Sequence, residues 1–303
     1  MPKVSIIVLT YNSEKYIEKL LESIVKFNKD SNYEIIVVDN NSEDGTVRLI
    51  QNSKLPSTPL GTSKSQSANW RTKFKIIENK ENVGFSRGIN MGAREAKGEY
   101  LLFINPDAEW NSGSVNNFVS LFEGDDKIGV IGGKILTKDG SSEKSAGRFL
   151  KTSEVFLTTL GLDEALGVRF SPNKRCEVDF VSGGFMAVRR DLFERLGGFD
   201  ENFFMYIEDM EFCFRVKKEE LKVLFDPSIE VIHESHGSSN RSFAIENIYR
   251  GLLYFHKKHG TPFSYNSIKL LLQAKSSVLV LLGKIINNKY LTVTYSKLLR
   301  LKT

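Results

Sequence analysis

Ala96-Lys-Gly-Glu-Tyr-Leu-Leu-Phe-Ile-Asn-Pro-Asp107-Ala-Glu109 holds a short, almost wholly apolar run, Tyr100 to Ile104, set between Gly98 and Pro106. Aromatic and branched residues without polar alternation suit a strand buried on both faces of a parallel sheet. Pro106 cannot extend a ladder and forces Asn105 into an extended backbone, so the strand should stop there. Asn105 and Asp107 are then expected just past its carboxyl end, the edge where open α/β sheets bind ligands. A carboxylate at that edge suits a divalent metal carrying a phosphate. An isolated Asp in such a turn is more often a cap, so the surrounding sequence has to decide.

Upstream, Val4 to Leu9 and Tyr33 to Val38 are two further apolar runs, each followed by a polar turn and a helical pattern. The first turn, Thr10-Tyr11-Asn12-Ser13, places Asn12 or Ser13 as N-cap and Glu14 in the first helical turn. Ile17, Leu20, Leu21, Ile24 and Val25 form one apolar face of that helix. The second run ends at Asp39, and Asn40 to Thr46 makes the next turn. Phe74 to Glu78 is a third strand. Phe85, Ile89, Gly92, Ala93 and Ala96 then share a helical face that Gly98 is expected to cap. Gly88 and Gly92 inside this helix suggest close approach to another backbone or to a ligand. The βαβ rhythm predicts an α/β fold with a mainly parallel, Rossmann-like central sheet flanked by helices.

Residues 52–72 are rich in Ser, Thr, Pro and Lys and are expected to form a surface insertion. After Asp107 the chain predicts a helix at Ser114 to Phe122 and a strand at Ile128 to Leu136, with only weak signals over residues 137–177. Two short late strands, Lys222 to Phe225 and Ile229 to His233, should flank Asp226-Pro227. An amphipathic helix spans Phe243 to His256.

Composition sets limits on the class. At 303 residues, 41% hydrophobic and 26% charged, the chain is an ordinary globular sequence with length enough for a large core. The net charge of +5 is mild and its excess lies mostly in the last fifty residues, so no nucleic-acid partner is expected. Cys176 and Cys213 fit no metal-ligand spacing; reduced thiols in the cytoplasm are the simpler expectation, with one disulfide as the alternative. The apolar run after Met-Pro-Lys is too short for a signal peptide, and no window has membrane-spanning length without charge.

Several clusters carry chemistry. Asp39, at a strand end, could accept from a nucleobase or ribose, although alone it would be a turn residue. Thr10-Tyr11-Asn12 offers N–H groups and an aromatic face. The first βα turn lacks Gly-x-Gly-x-x-Gly and a P-loop lysine, which argues against a dinucleotide cofactor. Glu208 and Asp209 open a helix behind Phe203-Phe-Met-Tyr206. Acidic residues are common at helix starts for structural reasons, yet one of this pair could serve as general base while the other diverges toward a different partner. His233 and His236, two of only four histidines, follow a strand and suggest a ligand role, imidazole being accepted more readily by Mn²⁺ than by Mg²⁺.

Taken in order, Ser5-Ile-Ile-Val-Leu-Thr-Tyr-Asn12, Val37-Val-Asp-Asn-Asn-Ser42, Asn82-Val-Gly-Phe-Ser-Arg-Gly-Ile-Asn90, Leu102-Phe-Ile-Asn-Pro-Asp107, Gly183-Gly-Phe-Met, Phe199 to Asp209 and Val231-Ile-His233 resemble the inverting family 2 glycosyltransferases of GT-A fold. The similarity is nearest the bacterial rhamnosyltransferase-like branch and covers roughly residues 3 to 260. The resemblance implies a nucleotide site from Thr10, Tyr11, Asn12, Asp39, Asn41, Asn82, Gly84, Arg87, Asn90 and Asn105. It implies Asp107 and His233 as ligands of Mg²⁺ or Mn²⁺, Asp209 as base, and Gly183, Gly184 and Glu208 on the side of the donor sugar or acceptor. Asn105 replaces the first acid of the family's Asp-x-Asp motif, and Glu211 stands where many relatives have Asp, leaving its role open. The implied reaction moves a sugar, rhamnose from dTDP-rhamnose first, to a glycan or lipid-linked acceptor in bacterial cell-surface polysaccharide synthesis. A UDP-hexose or UDP-galactofuranose transferase and a non-catalytic nucleotide-sugar-binding protein are the alternatives. A glycoside hydrolase would also use carboxylates but has no need of nucleotide-type turns.

Residues 1–260 are expected to form the GT-A domain and 261–303 a helical extension. From Asn266 this extension mixes apolar helical segments with lysines, fitting either an interfacial helix at the inner face of the cell membrane or packing on the catalytic domain or a second subunit of a homodimer. Everything functional requires Asp107, Asp209 and His233 to meet around one pocket.

Overall fold

The computed structural model describes residues 1–53, 73–234 and 241–301. The chain begins β1 (Val4–Thr10), α1 (Ile17–Phe27), β2 (Tyr33–Asp39), α2 (Thr46–Asn52), β3 (Lys73–Glu78), α3 (Phe85–Glu95) and β4 (Tyr100–Ile104). It continues through β5 (Ala108–Ser112), α4 (Val115–Gly124), β6 (Ile128–Thr137), β7 (Ala146–Gly147), α5 (Thr152–Thr159), β8 (Arg169–Phe170) and β9 (Cys176–Val178). The remainder is β10 (Phe180–Val181), β11 (Phe185–Arg189), α6 (Arg190–Arg195), α7 (Glu208–Lys218), β12 (Lys222–His233), α8 (Arg241–His259), α9 (Pro262–Ile285) and α10 (Lys289–Leu299). The expected insertion lies mostly outside the described residues, as does His236.

The main sheet runs β3-β2-β1-β4-β11-β6-β12-β5, with β9 on β12. Its first four strands are parallel, and β6 and β12 share their direction, whereas β11, β5 and β9 oppose it. Every residue of β4 is buried. Leu101 and Phe103 enter a core on one face with α3, α6 and α7; Tyr100, Leu102 and Ile104 enter a core on the other with α1 and α4. Successive side chains point to opposite faces, so a strand covered on both sides has no place for a polar residue.

Four local expectations are revised. α1 starts at Ile17, because Ser13 N–H donates to Thr46 Oγ1, Glu14 N–H to Asp44, and the Glu14 carboxylate accepts from Gly45 N–H. The first βα turn is tied to the second and cannot wind into the helix. Gly98 caps nothing: α3 ends at Glu95 with Ala96 as its cap, and a Cβ at Gly98 would lie 2.5 Å from the Ser5 amide nitrogen. Gly88 and Gly92 make room for the Leu9 and Ile7 side chains of β1, not for a backbone or ligand. The two late strands are one, β12, with a register shift between Asp226 and Glu230 that accommodates Pro227. Cys176 and Cys213 are free thiols.

Beyond residue 260 the chain stays against the body. Ile268, Leu272, Tyr295 and Leu298 join the same core as β11 and α7. No described helix is long and apolar enough to cross a membrane.

Candidate active site

β4 ends at Ile104, and Asn105 N–H donates to Gly184 O (2.9 Å), pinning the turn beside the start of β11. The chain then crosses over to begin β5 at Ala108. Because β5 is antiparallel to β12 with Ala108 opposite His233, Asp107 is carried to the end of β12. Its carbonyl accepts from Glu234 N–H (3.0 Å), and its Oδ1 lies 3.1 Å from His233 Nε2. On its other side His233 Nδ1 meets Glu143 Oε1 at 3.0 Å. Burial alone would lower the imidazole, but hydrogen bonds to Asp107 and Glu143 outweigh it and hold His233 up at about 10.

A cavity of about 420 Å³ opens at this edge, within the range of small-molecule sites. Leu9, Thr10, Tyr11, Ser13, Asn40, Asn82 and Gly84 supply βα-turn walls; Asn105, Pro106 and Asp107 supply the β4 end; Phe85, Phe204, Met205 and Phe243 complete the lining. Tyr11 keeps 40% of its surface exposed, enough for a planar ligand to stack on. Gly84 has φ +85°, and a Cβ there would lie 2.5 Å from the Phe204 carbonyl oxygen, which accepts from Phe85 N–H (2.6 Å). Asn82 Oδ1 accepts from Gly84 N–H (3.0 Å) and from Asn40 Nδ2 (3.2 Å).

Asp39 is buried behind this wall. Its Oδ1 accepts from Thr10 Oγ1 (2.7 Å) and Ser42 Oγ (2.6 Å), and its Oδ2 from Ser42 N–H (2.8 Å). It therefore fixes the turn that presents Thr10 and Tyr11.

Asp209 is half-buried at the first turn of α7, with Oδ2 accepting from Gly183 N–H (2.9 Å) and Oδ1 from Met210 N–H (2.7 Å). Burial raises its carboxyl above the ordinary aspartate range, against the pull of those two N–H groups and of Arg169. Gly183 also abuts the Phe85 ring of the cavity wall, and Gly184 abuts the Asn105 side chain. Asp209 thus joins the Asp107 side of the cavity through Gly183, Gly184 and Asn105, although it is not itself among the lining residues. Glu208 beside it is 5% exposed, its Oε2 has no hydrogen-bond partner among the described residues, and burial followed by the charge of Asp209 raises it well above the usual carboxylate range.

The segment ahead of this acid pair is strained. Tyr206 and Ile207 have φ of +69° and +73°, costly for a branched side chain. Gly251 of α8 sits against it, with a Cβ there only 2.9 Å from Ile207 Cγ1.

Of the residues that sequence pointed to, Thr10, Tyr11, Asn82, Gly84, Asn105 and Asp107 line the cavity. Five nucleotide-site expectations lie off the wall, Asp39 behind it and four elsewhere, and His233 reaches the cavity only through Asp107. Asn12 (φ +50°) ties the turns together, its Oδ1 accepting from Glu43 N–H, and Asn41 (φ +63°) is exposed. Arg87 extends outward to Glu201 at 3.9 Å. Asn90 is buried and clamps Phe199, donating to its carbonyl (2.8 Å) and accepting from its N–H (2.9 Å). Glu211, left open by the sequence, is fully buried and accepts from Arg215, Lys258 (2.8 Å) and His259 (2.8 Å), bolting α7 to α8. Asn40 and Glu143 were missed. Asn40 lay within a quoted motif, whereas Glu143 sits in a Ser-rich stretch that carries no pattern.

No group of three or more His, Cys, Asp or Glu side chains among the described residues is arranged as a ready metal cage. Asp107 and His233 nevertheless fit a divalent ion completed by substrate. Mg²⁺ is commonly held by one or two carboxylates plus phosphate oxygens, and Glu143 on Nδ1 is the carboxylate–histidine arrangement that aims the opposite nitrogen at a metal.

Comparison with known proteins agrees with this architecture. Residues 5–197 match the family model described as "Glycosyl transferase family 2", and residues 168–236 match one described as "N-terminal domain of galactosyltransferase". An N-acetylglucosaminyl-diphospho-decaprenol L-rhamnosyltransferase of Mycobacterium tuberculosis is 26% identical over 254 residues, covering 78% of this chain and 77% of its own. The rhamnosyltransferase WbbL of Escherichia coli is 27% identical over 244 residues, covering 79% and 86%. Among solved structures, a Pyrobaculum calidifontis mannosyltransferase in complex with GDP-Man and Mn²⁺ superposes with a TM-score of 0.58 at 17% identity, covering 97% of this chain and 84% of the other.

Proposed function

The chain belongs to glycosyl transferase family 2, and from that premise we propose that it moves a sugar from a nucleoside diphosphate donor to a hydroxyl of a glycan or lipid-linked acceptor, inverting the anomeric centre. Rhamnose from dTDP-rhamnose is the first donor to test, because the M. tuberculosis and E. coli relatives carry rhamnosyltransferase names. UDP-hexoses and UDP-galactofuranose follow. What carries the proposal is the Asp107–His233 contact at the edge of a nucleotide-sized cavity, with Asp209 linked to the same edge through Gly183.

In this mechanism Tyr11 stacks on the nucleobase, and Thr10, Asn40 and Asn82 offer hydrogen bonds to the nucleoside. Asp107 and His233, the ring giving up its Nε2 proton, would hold a Mg²⁺ or Mn²⁺, which when bound would supply Lewis-acid neutralisation of the departing diphosphate. Asp209 accepts the proton of the acceptor hydroxyl as its oxygen bonds to the anomeric carbon and the carbon–phosphate-oxygen bond breaks. A carboxylate of raised proton affinity is a better base, and such a residue contributes about 10²–10⁴-fold. Displacement from the face opposite the diphosphate leaves the product inverted.

The test is nucleoside diphosphate release by the full chain with Mn²⁺, across a panel of nucleotide sugars and a prenyl-diphosphate sugar acceptor. The product linkage is read by NMR. Silence with every donor, or a product that retains the donor's anomeric configuration, sinks the proposal.

A further inference from the structure

Residues 261–303 contain seven of the chain's 42 Lys and Arg and none of its 37 Asp and Glu. The rest of the chain is slightly acidic, so the whole positive surplus sits in α9, α10 and the residues after them.

α9 is apolar on two opposite sides. Ile268, Leu272, Ser276 and Gly283 face the body of the protein and are buried. Leu270, Val278, Leu281 and Ile285 recur at helical spacing on the other side and are 61–72% exposed. Lys284 borders this stripe on the helix surface, whereas Lys275 is half-buried and faces Asp163. Ile286 and Val293 carry exposed apolar surface on toward α10, among Lys289 and Lys297. α5 packs against α9, and its Phe156 and the following Leu160 are both about half exposed. A helix apolar on both sides has one side waiting for a partner.

We propose that this face docks on an anionic lipid bilayer surface, with α9 lying in the headgroup layer and its lysines on lipid phosphates. Exposed leucine and isoleucine bordered by lysine is the composition of interfacial helices. Each basic residue near an anionic surface adds to the attraction. A second copy of the chain suits the face poorly. A two-fold contact would bring the same patch against itself, setting Lys284, Lys289 and Lys297 against their own copies with no acid on α9 or α10 to answer them. The docking does not rest on the transfer chemistry, so either can fail alone.

The experiment is co-sedimentation of the full chain with phosphatidylcholine vesicles, with and without roughly one third phosphatidylglycerol. The chain should bind anionic vesicles about tenfold or more tightly than neutral ones and be released by high salt. Leu281→Asp with Ile285→Asp should cut binding by about tenfold or more, as should Lys284→Glu with Lys289→Glu on anionic vesicles. All four side chains are exposed, so circular dichroism and nucleoside diphosphate release should be unchanged in both variants. Absence of binding to anionic vesicles, or equal binding to neutral ones, overturns the proposal. So does a dimer in sedimentation velocity that the Asp pair splits.

Discussion

Asp209→Asn separates proton removal from everything else the proposed site does. The wild-type carboxylate accepts two backbone N–H groups, Gly183 on Oδ2 and Met210 on Oδ1. An amide can accept through only one atom, so one N–H is left facing the new NH₂ group. Leaving one such donor unsatisfied costs about 1–3 kcal/mol of stability, visible as a lowered urea midpoint but far from unfolding a chain of this size. Loss of a general base removes about 10²–10⁴-fold in turnover, or roughly 2.7–5.4 kcal/mol of barrier at about 1.36 kcal/mol per decade. The two effects divide cleanly between assays. Turnover at saturating donor and acceptor should fall by the full factor, while nucleotide affinity by calorimetry stays within about twofold, since Asp107, His233 and the Thr10 turn are untouched. Because burial raises the Asp209 carboxyl, the acid limb of the wild-type pH profile should lie above the ordinary aspartate range, and activity should climb as pH rises through it. Turnover within about threefold of wild type, in a variant whose urea curve shows it folded, would refute the base role.

Asp107→Ala should abolish the increment in nucleotide affinity that Mn²⁺ provides, and a chelator should do the same to the wild type; calorimetry with and without metal checks both. Glu211→Ala leaves Arg215, Lys258 and His259 facing an emptied acid site and should cost about 3–5 kcal/mol in urea unfolding. Burial alone would raise Glu211, but Arg215 first, then Lys258 and His259, hold it below the ordinary glutamate range. Its stabilisation is therefore full above that range and is lost as pH falls through the depressed value, so the gap in urea midpoint between wild type and Glu211→Ala should narrow as the solution is acidified. Gly251→Ala pushes a methyl group to 2.9 Å from Ile207 Cγ1 and should lower turnover more than nucleotide affinity, read from paired kinetics and calorimetry.

The regular half of this protein could be read from residue order because one physical rule governs it. β1, β2 and β4 are covered on both faces, so apolar runs announce them, and Pro106 fixes where the last one ends. The same rule brought Thr10, Asn82 and Asp107 to one edge. Legibility fails where a residue's task is set by distant chain. Asn90 and Arg87 sit in a motif that looks nucleotide-binding, yet Asn90 clamps Phe199, more than a hundred positions away, and the exposed Arg87 lies 3.9 Å from Glu201. Glu143 is invisible because nothing local marks a carboxylate that meets His233 ninety residues later. Gly98 looks like a cap by sequence, and its true reason, the backbone of Ser5, lies in β1.

The reversed strands have a consequence for where this chain can change length. β11 enters the sheet against the grain, so the chain reaches the ligand edge at Gly183 just as β4 leaves it at Asn105, and their ladder is fixed by Phe185 opposite Ile104. Chain inserted or deleted in the exposed turn at residues 160–166 leaves that ladder in step and need not disturb Asp107, Glu143 or His233. A graft exchanged over that turn between relatives should vary the surface beside α5 while the edge that carries Asp107 keeps its register.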